Sequence, residues 1–195
     1  MGEIKSAWEK AMERVEKLGK PSEEELRALE YIPLGNVLAA RHLKEPNFDL
    51  ESELTHYKGS GIRKYIVQGC QEILIRNITL PRNDQTKETT KKAMAGIKLI
   101  KQNQNQLQSI FERIENLFNY YEQARQQTFL ELRQNFEAKL QEMTKAVQKQ
   151  LGAKVTIQPE LQPQFQEEWR KINAQLDAQY EKVLDQHKEQ ILKIA

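Results

Sequence analysis

An apolar stripe with an 11-residue period runs from Leu107 to Leu151 and narrows what this chain can become. Steps of 3, 4 and 4 residues visit Leu107, Ile110, Ile114, Phe118, Tyr121, Arg125, Phe129, Leu132, Phe136, Leu140, Met143, Val147 and Leu151, and only Arg125 is not apolar. With 38% hydrophobic residues overall, chance would fill about five of these places, so the pattern predicts one long coiled-coil helix.

Composition agrees with an elongated, all-α protein. The 195 residues are 30% charged with a mean hydropathy of -0.77, which leaves little apolar material for a large globular core. The 30 basic and 28 acidic residues nearly cancel, and no long block of one sign recruits nucleic acid or an anionic membrane. Cys70 is the only cysteine, which excludes an intrachain disulfide and cysteine-based zinc sites. The N-terminus has no secretory h-region and no window approaches a membrane span, so a cytoplasmic protein without membrane insertion is expected.

Residues 1–83 read as a small helical body. Ile4, Trp8, Ala11, Met12, Val15 and Leu18 share one face of a first helix that Gly19, Lys20 and Pro21 stop. Ser22 and Glu25 form a capping-box pattern for a second helix through Leu26 and Leu29, expected to end at Pro33. Glu23, Glu24 and Glu25 suit the dipole of that helix start. Leu34 to Leu43 forms a third apolar segment, and Asn47 or Asp49 can cap a short helix containing Leu50 and Leu54. The most apolar helix lies between Ile62 and Leu80, with Cys70 inside it.

Pro81-Arg82-Asn83-Asp84 marks the boundary to a second domain, 84–195. Asp84 is expected to cap a helix over 84–151, about 100 Å long. A tip over 152–163 follows, and a returning helix over 164–194 repeats the period through Phe165, Trp169, Ile172, Leu176, Tyr180, Val183, His187, Ile191 and Ile194. Folding one stripe onto the other from the tip predicts an antiparallel coiled-coil hairpin with residue numbers summing to 315 or 316. Phe165 would then meet Leu151, His187 would meet Phe129 and Ile191 would meet Arg125. The stripe widens on the inner part of the rod, where Ile97, Ile100, Phe111, Ile114 and Leu117 predict a face that docks the N-terminal body or a second copy, a dimer being favoured.

Few residues suggest chemistry. Arg125 and His187 interrupt the stripes and are read as polar residues that set register, with a pH response of the arm as the functional alternative for His187. Glu53 and His56 give one Glu-x-x-His, half of what a di-metal bundle requires, so no metal and no cofactor are expected. Lys58, Ser60, Arg63 and Lys64 surround a glycine-rich turn at a helix start, an arrangement that suits an anion or a nucleic-acid backbone. It lacks P-loop spacing, and no serine or cysteine nucleophile has a partner histidine. The many glutamines are interleaved with the stripe and read as a neutral solvated face.

The segments IKSAWEKAMERVEKLGK, EEELRALEYIPLGN and EILIRNITLPRND resemble an uncharacterised bacterial protein family over roughly the first half of the chain, a likeness that implies no activity or site. The 11-residue repeats resemble those of stator-stalk subunits in rotary ATPases in periodicity alone. The expected function is a non-enzymatic scaffold, adaptor or assembly factor that binds a protein partner and takes no small-molecule substrate. The alternatives are a nucleic-acid or ribosome-associated factor using the 58–64 turn, and a helical enzyme with its site near His56.

Overall fold

The computed structural model describes residues 21–151 and 158–194. Among them are six α-helices, one 3₁₀ turn and no strand. The helices are α1 (Glu23–Lys44), α2 (Leu50–Thr55), α3 (Arg63–Arg76), α4 (Asp84–Ile100), α5 (Gln104–Leu151) and α6 (Pro163–Lys193), with the 3₁₀ turn at Pro159–Leu161. The chain is all-α, in two compact units that meet between Arg76 and Asn77. The first expected helix, over 4–18, and most of the tip lie outside the described residues.

In the first unit, Ser22 caps α1 through the expected capping box: its Oγ accepts the amide of Glu25, whose carboxylate accepts the Ser22 amide. Pro33 does not end this helix, which continues as one element to Lys44. The local loss of one N–H donor is outweighed by packing against α3. Gly35 and Gly69 make the approach possible. A Cβ on Gly35 would stand 2.0 Å from the carbonyl oxygen of Ile66, and one on Gly69 would stand 2.1 Å from that of Ile32. Cys70 closes the crossing, its buried thiol donating to the Gly35 carbonyl at 3.2 Å.

The second unit departs from the expected single rod. The chain leaves helix at Lys101 and re-enters it at Gln104, with neither glycine nor proline at the break. Amide side chains make the turn: Asn103 Oδ1 accepts the Gln106 amide, while Gln104 Nε2 donates to the Lys98 and Lys101 carbonyls at 2.8 and 2.6 Å. Orphan groups at both helix ends are thereby satisfied. Gln104 is exposed, as expected, and serves in addition as a cap. Asn83, the neighbour of the expected Asp84, caps α4 by accepting the Thr86 amide.

Because of this turn, α4 lies antiparallel beside α5. Lys98 stands over the Phe111 ring and Lys87 pairs with Glu122, a register in which paired numbers sum to 209. Ile97, Ile100, Phe111 and Ile114 are buried and Leu117 is half-buried within the single chain. Helix α4 supplies part of the cover for the wide part of the stripe. Thr90, buried on α4, holds the preceding segment by accepting the Thr79 amide and donating to the Thr79 carbonyl.

Helix α6 returns antiparallel to α5, but not in the expected register. Phe165 packs edge-on against Phe129 and Phe136, and Trp169 packs against Phe129. Tyr121 meets Asp177 and Tyr180, while Arg125 meets Asn173. Paired numbers thus sum to about 298, and Phe165 lies near Phe129 and Phe136 where Leu151 was expected. Sums of 315 or 316 hold only if pairing starts at the tip. A slip along a helix seam costs nothing in pattern when both stripes share one period, so side-chain fit and the connector choose the register. Val183 turns outward and Leu184 takes the buried place.

Gly35→Ala and Gly69→Ala should each cost about 3 kcal/mol by forcing α1 and α3 apart, read as a lower urea midpoint. Burial pushes the Cys70 thiol up to about 11, so it should resist a thiol reagent near pH 8 in the folded protein and react on unfolding.

Candidate functional site

A polar cluster of the second unit lies where the Pro81–Asn83 turn meets α5 and α6. Its centre is Tyr121, fully buried on the stripe, whose hydroxyl donates to Asp177 Oδ1 at 2.7 Å. The other carboxylate oxygen of Asp177 takes Arg82 Nε at 3.0 Å, and Arg82 also reaches Glu181. Arg125 Nε donates to Asn173 Oδ1 at 2.9 Å, and its Nη1 donates to the Arg82 carbonyl at 3.1 Å. The Arg125 guanidinium lies 6.0 Å from the Trp169 ring centre. Arg82, Tyr121, Arg125, Asn173 and Asp177 thus tie one turn and two helices together.

A cleft of about 580 Å³ opens beside this cluster, lined by the Pro81–Asp84 turn, Lys87, Glu122, Arg125, Gln126, Phe129 and Trp169. A second, of about 370 Å³, lies between α4 and α5 around Thr90, Met94 and Phe118. In the first cleft Lys87 pairs with Glu122 and Arg82 pairs with Asp177 and Glu181, while Arg125 is held by the neutral acceptors of Asn173 and the Arg82 backbone. Burial first, and then the hydrogen bond to the Asp177 carboxylate, push the Tyr121 phenol up to about 12. Tyr121 is therefore a hydrogen-bond donor at neutral pH, and the cluster has the chemistry of a clasp.

Of the residues singled out from sequence, Arg125 belongs to this clasp, opposite Asn173 where Ile191 was expected. His187 lies on α6 with Nδ1 buried and without a hydrogen-bond partner, and the observed register sets it level with Phe111 where Phe129 was expected. In the first unit, Lys58 is exposed beside Gly59, whose φ of 81° makes the turn, and Ser60 Oγ donates to the Tyr57 carbonyl at 2.7 Å. Arg63 opens α3, and Lys64 pairs with Glu24 while lying 4.8 Å from the Tyr65 ring centre. His56 Nδ1 and Glu53 Oε2 are 3.9 Å apart on an exposed face, and no group of three or more metal-ligating side chains occurs among the described residues. None of the described helices is long and apolar enough to cross a membrane.

Sequence reading placed Arg82 at the domain boundary and among the cations of the nucleic-acid alternative, with no link to Asp177, and it missed Tyr121 as a donor, Asn173 and Asp177. The available signal was the pair Asn173 and Asp177, one helical turn apart and adjacent to the stripe residues Ile172 and Leu176.

Tyr121→Phe should cost about 2 kcal/mol, the worth of a hydrogen bond to a charged group, measured by urea denaturation. Because the folded phenol titrates above its unfolded value, its stabilisation is whole below about pH 10 and is lost as pH rises through about 12. The Phe variant should lose this part of the alkaline destabilisation, seen as a shallower fall of the denaturation midpoint at high pH.

No curated protein and no solved structure matches this chain. A family of unknown function, DUF6657, matches residues 51–193, a span that takes in the EILIRNITLPRND segment, α3 to α6 and the whole clasp. The chain belongs to the DUF6657 family.

Proposed function

We propose that this protein is a non-enzymatic adaptor whose α5–α6 pair serves as a coiled-coil arm for a protein partner. The observation that carries this reading is the clasp: its charged groups and buried phenol bind one another and hold helices in place. Helix α5 spans 48 residues, about 72 Å, while the aromatic pairing with α6 begins at Phe136. Apolar stripe residues recur beyond it at Leu140, Met143, Val147 and Leu151. Near the start of the pairing, Leu130 and Leu161 are 44% and 67% exposed. They belong to one neighbourhood, because Arg133, one turn after Leu130, pairs with Glu160 at 2.8 Å. Exposed leucines flanked by ion pairs are the composition of a modest protein-binding surface. The basic turn at 58–64 supports nucleic-acid binding less, since Lys64 is neutralised by Glu24.

Leu130→Glu with Leu161→Glu tests the reading. Both sites are exposed, so the helical signal and thermal midpoint should hold, while affinity capture from the native cell should recover a defined partner about tenfold less well than with wild type. Equal recovery by both proteins, or recovery of salt-released nucleic acid in place of a protein, would overturn it.

A further inference from the structure

One cation of the Tyr121 clasp is answered by dipoles and not by charge. Arg125 commits two of its nitrogens to neutral oxygens, Nε to Asn173 Oδ1 and Nη1 to the Arg82 carbonyl. Among the described residues no carboxylate lies within ion-pair distance of this guanidinium, and its Nη2 donates to no acceptor. Arg125 is half-buried on the lining of the 580 Å³ cleft, and Nη2 remains accessible to solvent. A cation in this position has given up part of its hydration without gaining a counter-charge. An anion in the cleft would supply one, through a charge-assisted hydrogen bond that partial enclosure strengthens.

The same cleft holds an aromatic corner. Phe129 and Trp169, both half-buried, line it with ring centres 5.1 Å apart and planes 78° to one another, and the Arg125 guanidinium lies 6.0 Å from the Trp169 ring centre. Two rings near a right angle let a third, planar ring stack on one while it meets the edge of the other. The volume lies within the roughly 300–1,000 Å³ of small-molecule sites. Acidic residues limit the charge such a ligand carries. Glu122 and Asp84 belong to the lining, and Lys87 pairs with Glu122 alone, so a second negative charge on the ligand would be repelled.

We propose that this cleft binds a small aromatic monocarboxylate, its carboxylate accepting from Arg125 Nη2 and its ring seated in the corner of Phe129 and Trp169. The site goes beyond the adaptor reading and does not rest on it. Recognition needs both halves of the ligand: the carboxylate gives Arg125 its missing counter-charge, and the ring contributes the apolar contact that holds a weak single-point ion pair in place.

Phenylacetate is the probe, titrated into the full chain while the Trp169 indole N–H is followed by NMR, its signal identified by its loss in Trp169→Phe. The shift should saturate with a Kd of about 1 mM or tighter, about tenfold tighter than acetate, which lacks the ring, or 2-phenylethanol, which lacks the charge. Arg125→Gln should weaken phenylacetate about tenfold. Because that change also removes clasp hydrogen bonds, Gln126→Glu is the second variant. Gln126 is exposed on the lining beside Arg125, so its change to Glu should leave the urea midpoint in place and weaken phenylacetate about fivefold by repulsion. Tighter binding of inorganic phosphate than of phenylacetate, equal affinity for phenylacetate and 2-phenylethanol, an affinity unchanged in Gln126→Glu, or no saturable shift up to about 10 mM would overturn the proposal.

Discussion

The apolar face of α5 between Leu107 and Tyr121 is too wide for one partner helix, and the second unit is organised around covering it. Leu107, Ile110, Phe111, Ile114 and Tyr121 are all buried. That requires helices on two sides, which a straight helix over 84–151 could not provide from its own length. The three-residue break at Lys101–Asn103 turns α4 back along α5, and α6 occupies the other side. Lys101 links the arrangement, its ammonium reaching the Ile194 carbonyl at the end of α6, where the helix dipole favours positive charge. Burial depresses the pKa of this lysine.

The two units solve the same packing problem by different means. In the first, glycines remove side chains from the crossing so that α1 and α3 approach to backbone distance around Gly35 and Gly69. In the second, large side chains fill the seam: Phe129, Phe136, Phe165 and Trp169 stack edge to face, and Tyr121 adds a hydroxyl that must be satisfied. Asp177 satisfies it, and Arg82 compensates the carboxylate in turn, which brings the Pro81–Asn83 turn into the same assembly. A buried phenol thus recruits charge from two other elements.

Much of the helical content was legible as pattern. The inward faces of α5 and α6, the capping box at Ser22 and the buried Cys70 follow from spacing and composition. The errors share one cause, because each concerned a choice between locally equivalent alternatives. Pro33 usually ends a helix, but packing against α3 carries α1 through it. Gln102 and Asn103 look no different from the glutamines around them until Asn103 and Gln104 are seen capping two helix ends. The α5–α6 register was placed from the tip, although an 11-residue period on both helices tolerates many registers equally. Arg125 was recognised as an exception to the stripe, but its partners Asn173 and Arg82 lie 48 and 43 residues away.

Helicity, the inward faces and the lack of long charged blocks belong to the linear chain, because period and composition act over a few turns and need no distant contact. The break after Ile100, the pairing of Phe165 with Phe129 and Phe136, and the clasp around Tyr121 belong to the folded molecule. Each depends on which of several similar surfaces fit together, and that choice is made by side-chain volume and by the need to satisfy buried polar groups, quantities that exist only once the helices meet.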